Sequence, residues 1–259
     1  SAAALAAAKK AYAWATANHT KLFTNPSDIQ TGEYGDGSAD DEKFWAGVEL
    51  AIATGDQSYA PATAPAWPLP AWMDVGMLGT YQIVSHPSAF PEALVAKSKK
   101  DLLTAADPLA IRVQSRPWAA PQQKESELPW GSNSVLSHMG IHGIYAWLAS
   151  GSQDYLDLAD AAWDHLMGRN PLGLSSVTGF GKKKAMKIHH RISGGDNVAD
   201  PVPGLLIGGP YPGGDDVIND PKSTWMCKEY RVDGKAALAW IDDQCSYATN
   251  EIAINWNGS

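Results

Sequence analysis

Helix-forming segments, each closed by glycine, proline or asparagine, dominate the first two thirds of the sequence. Residues 2–16 are rich in Ala, Lys and Leu and stop near Asn18, and comparable segments fit 40–54, 73–84, 91–106, 134–150 and 153–167. Runs that alternate apolar and polar residues are scarce, so the economical fold class is all-α, a helical bundle or barrel. The phrases Ala53-Thr-Gly-Asp-Gln-Ser-Tyr59 and Ala149-Ser-Gly-Ser-Gln-Asp-Tyr155 read as equivalent helix-pair corners, the pattern a ring of paired helices would produce.

From residue 168 to 233 the texture changes to Gly, Pro, Asn, Asp and His. A long irregular stretch inside a compact domain tends to be functional, and this one is expected to form loops around a cleft. The apolar Leu205, Leu206 and Ile207 argue against a disordered linker. A net charge of −8 disfavours nucleic acid as a partner, because phosphate backbones need a dense basic face. No run of apolar residues is long enough to span a bilayer, so no membrane segment is expected. Cys227 and Cys245 are compatible with one disulfide, and the spacing alone leaves that open.

Eleven Trp and nine Tyr stand against four Phe, a bias toward rings that pair a hydrogen-bonding edge with a stacking face. Such rings suit sugars, and they also suit ordinary helix packing. Near the C-terminus, Trp240-Ile-Asp-Asp-Gln-Cys-Ser-Tyr-Ala-Thr-Asn-Glu-Ile-Ala-Ile-Asn-Trp-Asn257 crowds carboxylates, aromatics and amides together. If 247–257 is helical, Tyr247, Glu251 and Asn255 share one face; a solvated helix end is the alternative. A second cluster is Ser175-Ser-Val-Thr-Gly-Phe-Gly181 followed by Ile188-His-His-Arg191. If 189–191 is extended, His189 and Arg191 point to one side and His190 to the other, which would give a cleft wall donors suited to sugar hydroxyls. A structural His–Arg pair on backbone carbonyls is the alternative.

These two segments resemble the two signature regions of glycoside hydrolase family 9, the inverting cellulases and their relatives. Ser175, Val177, Thr178, Gly181, Lys183, Ile188, His189 and Arg191 occupy positions of the first signature, and Trp240, Asp242, Tyr247, Glu251, Ala253 and Asn257 those of the second. Gly258 stands where a small Ala, Ser or Thr is usual. The resemblance extends through Thr31-Gly-Glu-Tyr-Gly-Asp36, Asp41-Glu-Lys-Phe-Trp-Ala46, Trp130-Gly-Ser-Asn133, Gly168-Arg-Asn-Pro-Leu-Gly173 and Pro203-Gly-Leu-Leu-Ile-Gly-Gly-Pro210. It therefore covers nearly all of residues 1–259 as one catalytic-domain segment.

The resemblance implies an (α/α)6 barrel of which this chain supplies roughly the C-terminal half. It implies hydrolysis of β-1,4-glucosidic bonds in cellulose or related β-glucans with inversion, with Glu251 as general acid. By the same resemblance His189 and Arg191 bind substrate, Trp256 helps hold the sugar, Trp130 is a stacking platform and Tyr247 orients the acid. Asp242 is a candidate carboxylate neighbour that would help keep Glu251 protonated. The general base comes, in this family, from an Asp-Ala-Gly-Asp motif, and that tetrapeptide does not occur in the sequence. The expected partners are accordingly a β-glucan polysaccharide or oligosaccharide and an N-terminal half of the same domain carrying the base. An exo-acting relative of the family and a non-catalytic sugar-binding fragment are the alternatives. The resemblance further suggests a secreted protein and a structural Ca2+ held by Asp36, Asp41, Glu42 and Asp74; stabilisation of a helix N-terminus by Asp41 and Glu42 is the competing reading.

Overall fold

The computed structural model describes residues 1–29, 35–71, 73–122, 127–129, 131–170, 173–186, 188, 190–209, 231–232 and 253–254. Among them lie seven α-helices: α1 (Ala2–Ala17), α2 (Asp40–Thr54), α3 (Gly76–Ser85), α4 (Glu92–Ser115), α5 (Ser132–Ser150), α6 (Gln153–Leu166) and α7 (Arg191–Gly195). The only strands among the described residues are the two-residue segments β1 (Arg231–Val232) and β2 (Ala253–Ile254), paired in parallel. The all-α expectation holds. The helical reading of 247–257 does not hold at Ala253–Ile254, where alternating β-branched Ile252 and Ile254 favour an extended backbone.

The chain divides into two compact units, Ser1–Ala105 with Leu148–Gly151, and Ala106–Trp147 with Ser152–Ser259. In the first, α2 presents Phe44, Val48 and Ala51 at helical spacing, and these pack with Ala64, Ile83, Phe90 and Leu94 into an apolar core. Fully burying a side chain of this size stabilises by about 1.5–3 kcal/mol, so this cluster outweighs any single polar contact nearby. By contrast α1 buries none of its residues; the Ser1 Oγ caps it by accepting from Ala4 N–H at 3.3 Å, and Tyr12 meets Tyr59 edge-on.

Two helix boundaries show which local signals decide. Gly55 (φ 71°) and Gly151 (φ 75°) follow the last residues of α2 and α5 in the left-handed conformation, so the two similar phrases end their helices alike. Helix α4, expected to stop at 106 before Asp107-Pro108, instead runs through Pro108 to Ser115. Leu102, Ala106, Leu109 and Ala110 are all buried, and continuing that apolar stripe outweighs the backbone bond that proline removes.

In the second unit, Leu136 of α5 packs with Ala162 and Leu166 of α6. Tyr155 on α6 donates its hydroxyl to Asp107 at 2.5 Å; burial, and then this bond, push the phenol up to about 12.

Candidate active site

The residues singled out for chemistry near the C-terminus, Asp242, Tyr247, Glu251 and Trp256, lie outside the described residues, as do Trp130, His189, Cys227 and Cys245; Arg191 is described by its backbone. What the structure does build is the frame around the first signature and, separately, the acidic cluster.

The frame is a set of loops spanning 174–209 that is stitched by hydrogen bonds. Ser175 N–H donates to Lys183 C=O at 2.9 Å and Ile207 N–H to Ser176 C=O at 2.9 Å. Thr178, fully buried, joins this segment to 202–205 four times over. Its backbone N–H donates to Leu205 C=O at 3.0 Å and its C=O accepts from Gly204 N–H at 2.8 Å. Its hydroxyl donates to Val202 C=O at 2.6 Å and accepts from Leu205 N–H at 2.9 Å. Asn170 acts similarly one loop earlier, its Nδ2 donating to His165 C=O (2.7 Å) and Leu174 C=O (2.8 Å).

Residues 205–209 are also fastened to the start of α5. Asn133, buried, donates its Nδ2 to Ile207 C=O at 3.0 Å, and its backbone N–H goes to Gly208 C=O at 2.8 Å. Gly209 sits at φ 95° so close to this helix end that a Cβ there would lie 2.6 Å from Ser132 Oγ, so any larger residue is excluded twice. Ala185, Ile188 and Ile207 form a small apolar cluster beneath, with Leu205 against it. Leu206, next to buried Ile207, is 45% exposed. It lines an apolar groove of about 390 Å³ with Ile141, Ile144 and Trp163.

His190 is extended (φ −139°, ψ 110°), in line with the expectation for this segment, but Arg191 already opens the helical turn of α7. The uninterrupted extended reading of 189–191 therefore fails at its last residue. His190 caps α7, its Nδ1 accepting from Ser193 N–H. Sequence reasoning assigned no role to Asn133, Asn170, Thr178 or Ser193. The available signal was small polar residues set among glycines and prolines, where backbone groups lack regular partners.

The acidic cluster gathers three of the four proposed metal ligands: carboxylate oxygens of Asp36, Asp41 and Glu42 lie within 4.8 Å of one another. Asp41 is buried and its Oδ2 accepts from Val75 N–H at 2.7 Å, which brings the 74–76 segment alongside. Burial pushes the Asp41 carboxyl up, but the bonds from Val75 N–H and Glu42 outweigh it and hold its pKa below the ordinary value. Glu42 is exposed as a residue, yet partial burial of its carboxyl, the proton it shares with Asp41 and repulsion from Asp41 and Asp36 raise it to about 7. Asp74 is raised by burial and by the same two carboxylates, against a bond from Gly76 N–H. Crowded hard oxygen donors of this kind fit a cation such as Ca2+, which would relieve the repulsion. Asp40, Asp41 and Glu42 also occupy the first turn of α2, so they favour that helix end in any case.

The sequence profile of glycosyl hydrolase family 9 matches residues 1–259. The chain belongs to glycosyl hydrolase family 9. Among family members, the xyloglucan-specific endo-beta-1,4-glucanase BoGH9A of Bacteroides ovatus is 35% identical over 99% of this chain and 44% of its own length. Endoglucanase D of Acetivibrio thermocellus is 33% identical over 98% of the chain and 38% of its own length. Of solved structures, that of AaCel9A in complex with cellobiose-like isofagomine superposes with a TM-score of 0.75 at 34% identity, over 95% of this chain and 46% of that one. The chain thus spans less than half the length of these relatives, and its helical fold is the corresponding part of the family 9 (α/α)6 barrel.

Proposed function

We propose that this chain carries the acid-bearing side of a β-1,4-glucan hydrolase that cuts internal bonds with inversion. The observation behind this reading is the presence, in order and within one family match over residues 1–259, of both signature regions. Glu251 protonates the leaving glycosidic oxygen, held neutral by burial or by a charged neighbour such as Asp242. His189 and Arg191 grip sugar hydroxyls, Trp130 and Trp256 stack on ring faces, and Tyr247 orients the acid. Inversion requires a second carboxylate about 6.5–9.5 Å away to activate water, and we assign it to a segment carrying the Asp-Ala-Gly-Asp motif rather than to these residues.

Asp36, Asp41 and Glu42, with Asp74 beside them, hold a structural Ca2+ in this proposal. The ion would supply charge neutralisation at the start of α2, with no part in bond cleavage. A secreted protein acting on extracellular polysaccharide fits this chemistry, and detection of the protein in the culture medium tests that point. End-directed cleavage is the second reading, favoured by the 30% identity over 87% of the chain to a cellulose 1,4-beta-cellobiosidase of Acetivibrio thermocellus.

General acid catalysis is worth about 10²–10⁴-fold, so Glu251→Gln should lower turnover of carboxymethyl cellulose by that factor while retaining cello-oligosaccharide binding. Unchanged turnover in the variant would falsify the assignment. Viscosity loss outpacing reducing-end release distinguishes internal from terminal cleavage, and the anomer first seen by NMR tests inversion. Intact mass of the active species shows whether a base-bearing segment accompanies the chain.

A further inference from the structure

We propose that a hollow between α1, α2 and residues 59–67 is a sugar-binding site that seats one neutral hexopyranose ring of a β-glucan chain; the choice of sugar rests on the function proposed above. Every residue that lines it belongs to the first unit. Its volume is about 260 Å³, below the ~300–1,000 Å³ of sites that enclose drug-sized ligands, so it suits a single ring of a longer chain.

The walls are built from rings. Tyr12 of α1 and Tyr59 line the hollow and meet edge-on, with centroids 5.6 Å apart and planes at 71°, so they form a corner and not one flat platform. Lys9 Nζ, 5.9 Å from the Tyr59 ring centroid, helps hold that ring in place. Pro61 and Pro65 add rigid C–H faces. At the end of the segment Trp67 packs on Phe44, 5.5 Å between centroids, and against Gly76, where a Cβ would lie 2.2 Å from the indole. Gly47 permits the closure on α2. A Cβ there would lie 2.8 Å from Tyr59 C=O and 2.9 Å from the Tyr12 hydroxyl oxygen. Glycine inside a helix is unfavourable, and here it lets both tyrosines reach the helix.

Polar groups complete the lining. Asp40 and Lys43 of α2 and Thr63 border the same hollow. A carboxylate accepts, an ammonium donates and a hydroxyl does both, which matches the hydroxyls of a pyranose whose C–H faces rest on aromatic and proline carbons. A charged ligand would meet like charge from Asp40 or Lys43, and a purely apolar one would strip water from both without replacing it. A neutral polyol ring uses both.

The test uses the active species carrying Glu251→Gln, with whatever base-bearing segment accompanies it, so that the probe, cellotetraose, stays intact. Hydrogen-exchange mass spectrometry should show millimolar cellotetraose slowing exchange of the amides in 55–67. The half-saturation concentration should rise about tenfold in Tyr59→Ala and about threefold in Lys43→Ala, the scale of one lost stacking contact and one lost hydrogen bond. Tyr59→Phe keeps the ring and should stay within about threefold of the parent. Where Tyr59→Ala does not fold, Lys43→Ala and Tyr59→Phe carry the comparison. Exchange in 55–67 that cellotetraose leaves unchanged overturns the inference. So does a half-saturation concentration that Lys43→Ala leaves unchanged, or equal slowing by glycerol at the same concentration. A wild-type species that cleaves no glucan removes the function proposed above, while slowed exchange in 55–67 of that species still upholds the site, so the two failures are told apart.

Discussion

In the first unit, α2 and α3 bring together Phe44, Val48, Ala51 and Ile83 with Ala64, Phe90 and Leu94, a core in which contact is apolar and shape is the main requirement. The 174–209 loops enclose Ser175, Ser176 and Thr178 instead, over an apolar cluster of only Ala185, Ile188 and Ile207. Both regions are closely packed, but one is specified by volume and the other by the direction of individual donors and acceptors. A substitution that preserves size should therefore be mild in the first and severe in the second.

Ile83→Ala gives the largest expected effect, about 2–5 kcal/mol of stability in urea denaturation, whereas Ile83→Val should cost about 0.5–1.5 kcal/mol. Thr178→Val changes shape little, yet it strands the Leu205 N–H and Val202 C=O, and should cost about 2–4 kcal/mol. If Thr178→Val proves as mild as Ile83→Val, the contrast between the two regions is wrong.

Charge adds a second contrast, between an enclosed imidazole on α6 and an exposed carboxyl on α2. His165, at the end of α6, has its Nδ1 enclosed without a partner among the described residues, and burial pushes its pKa down to about 4. The unfolded chain binds that proton near 6.5, so stability is lost as pH falls from 6.5 toward 4. The residue keeps some exposed surface, and the loss should be about 1–2 kcal/mol, removed in His165→Phe and read from urea midpoints across this range.

Glu42 behaves in the opposite sense. Its folded pKa of about 7 exceeds the ordinary 4.5, so the folded chain holds the extra proton and stability declines as pH rises from 4.5 through 7. The effect is the smallest of the set because the residue is exposed. Glu42→Gln should flatten the melting-temperature profile over that interval, and millimolar Ca2+ should flatten it in the wild type. A profile indifferent to both removes the cation assignment.

Helix α2 was legible residue for residue, since an acidic first turn and a following glycine mark its ends and an apolar stripe marks its face. The end of α4 was not, because Asp107-Pro108 is a strong local stop whose effect is overridden by burial of Leu109 and Ala110, a tertiary fact. Asp36, Asp41 and Glu42 were readable as a group from their chemistry, whereas the bond from Val75 N–H to Asp41 joins positions that sequence spacing does not connect. The contact of the Ser193 hydroxyl with His190 Nδ1 and Val202 N–H was illegible for the same reason. It joins His190 to Val202 across a loop, and nothing in local composition says which of several small polar residues will find which orphaned amide.

The stitching around Thr178 has a consequence for how this part of the molecule opens. Breaking those bonds uncovers little apolar surface, so the opening should respond only weakly to added urea. The amides of Gly204, Leu205 and Ile207 should then exchange with deuterium oxide through local fluctuations at nearly constant rates as denaturant rises, while amides of the α2–α3 core wait for unfolding of the whole unit.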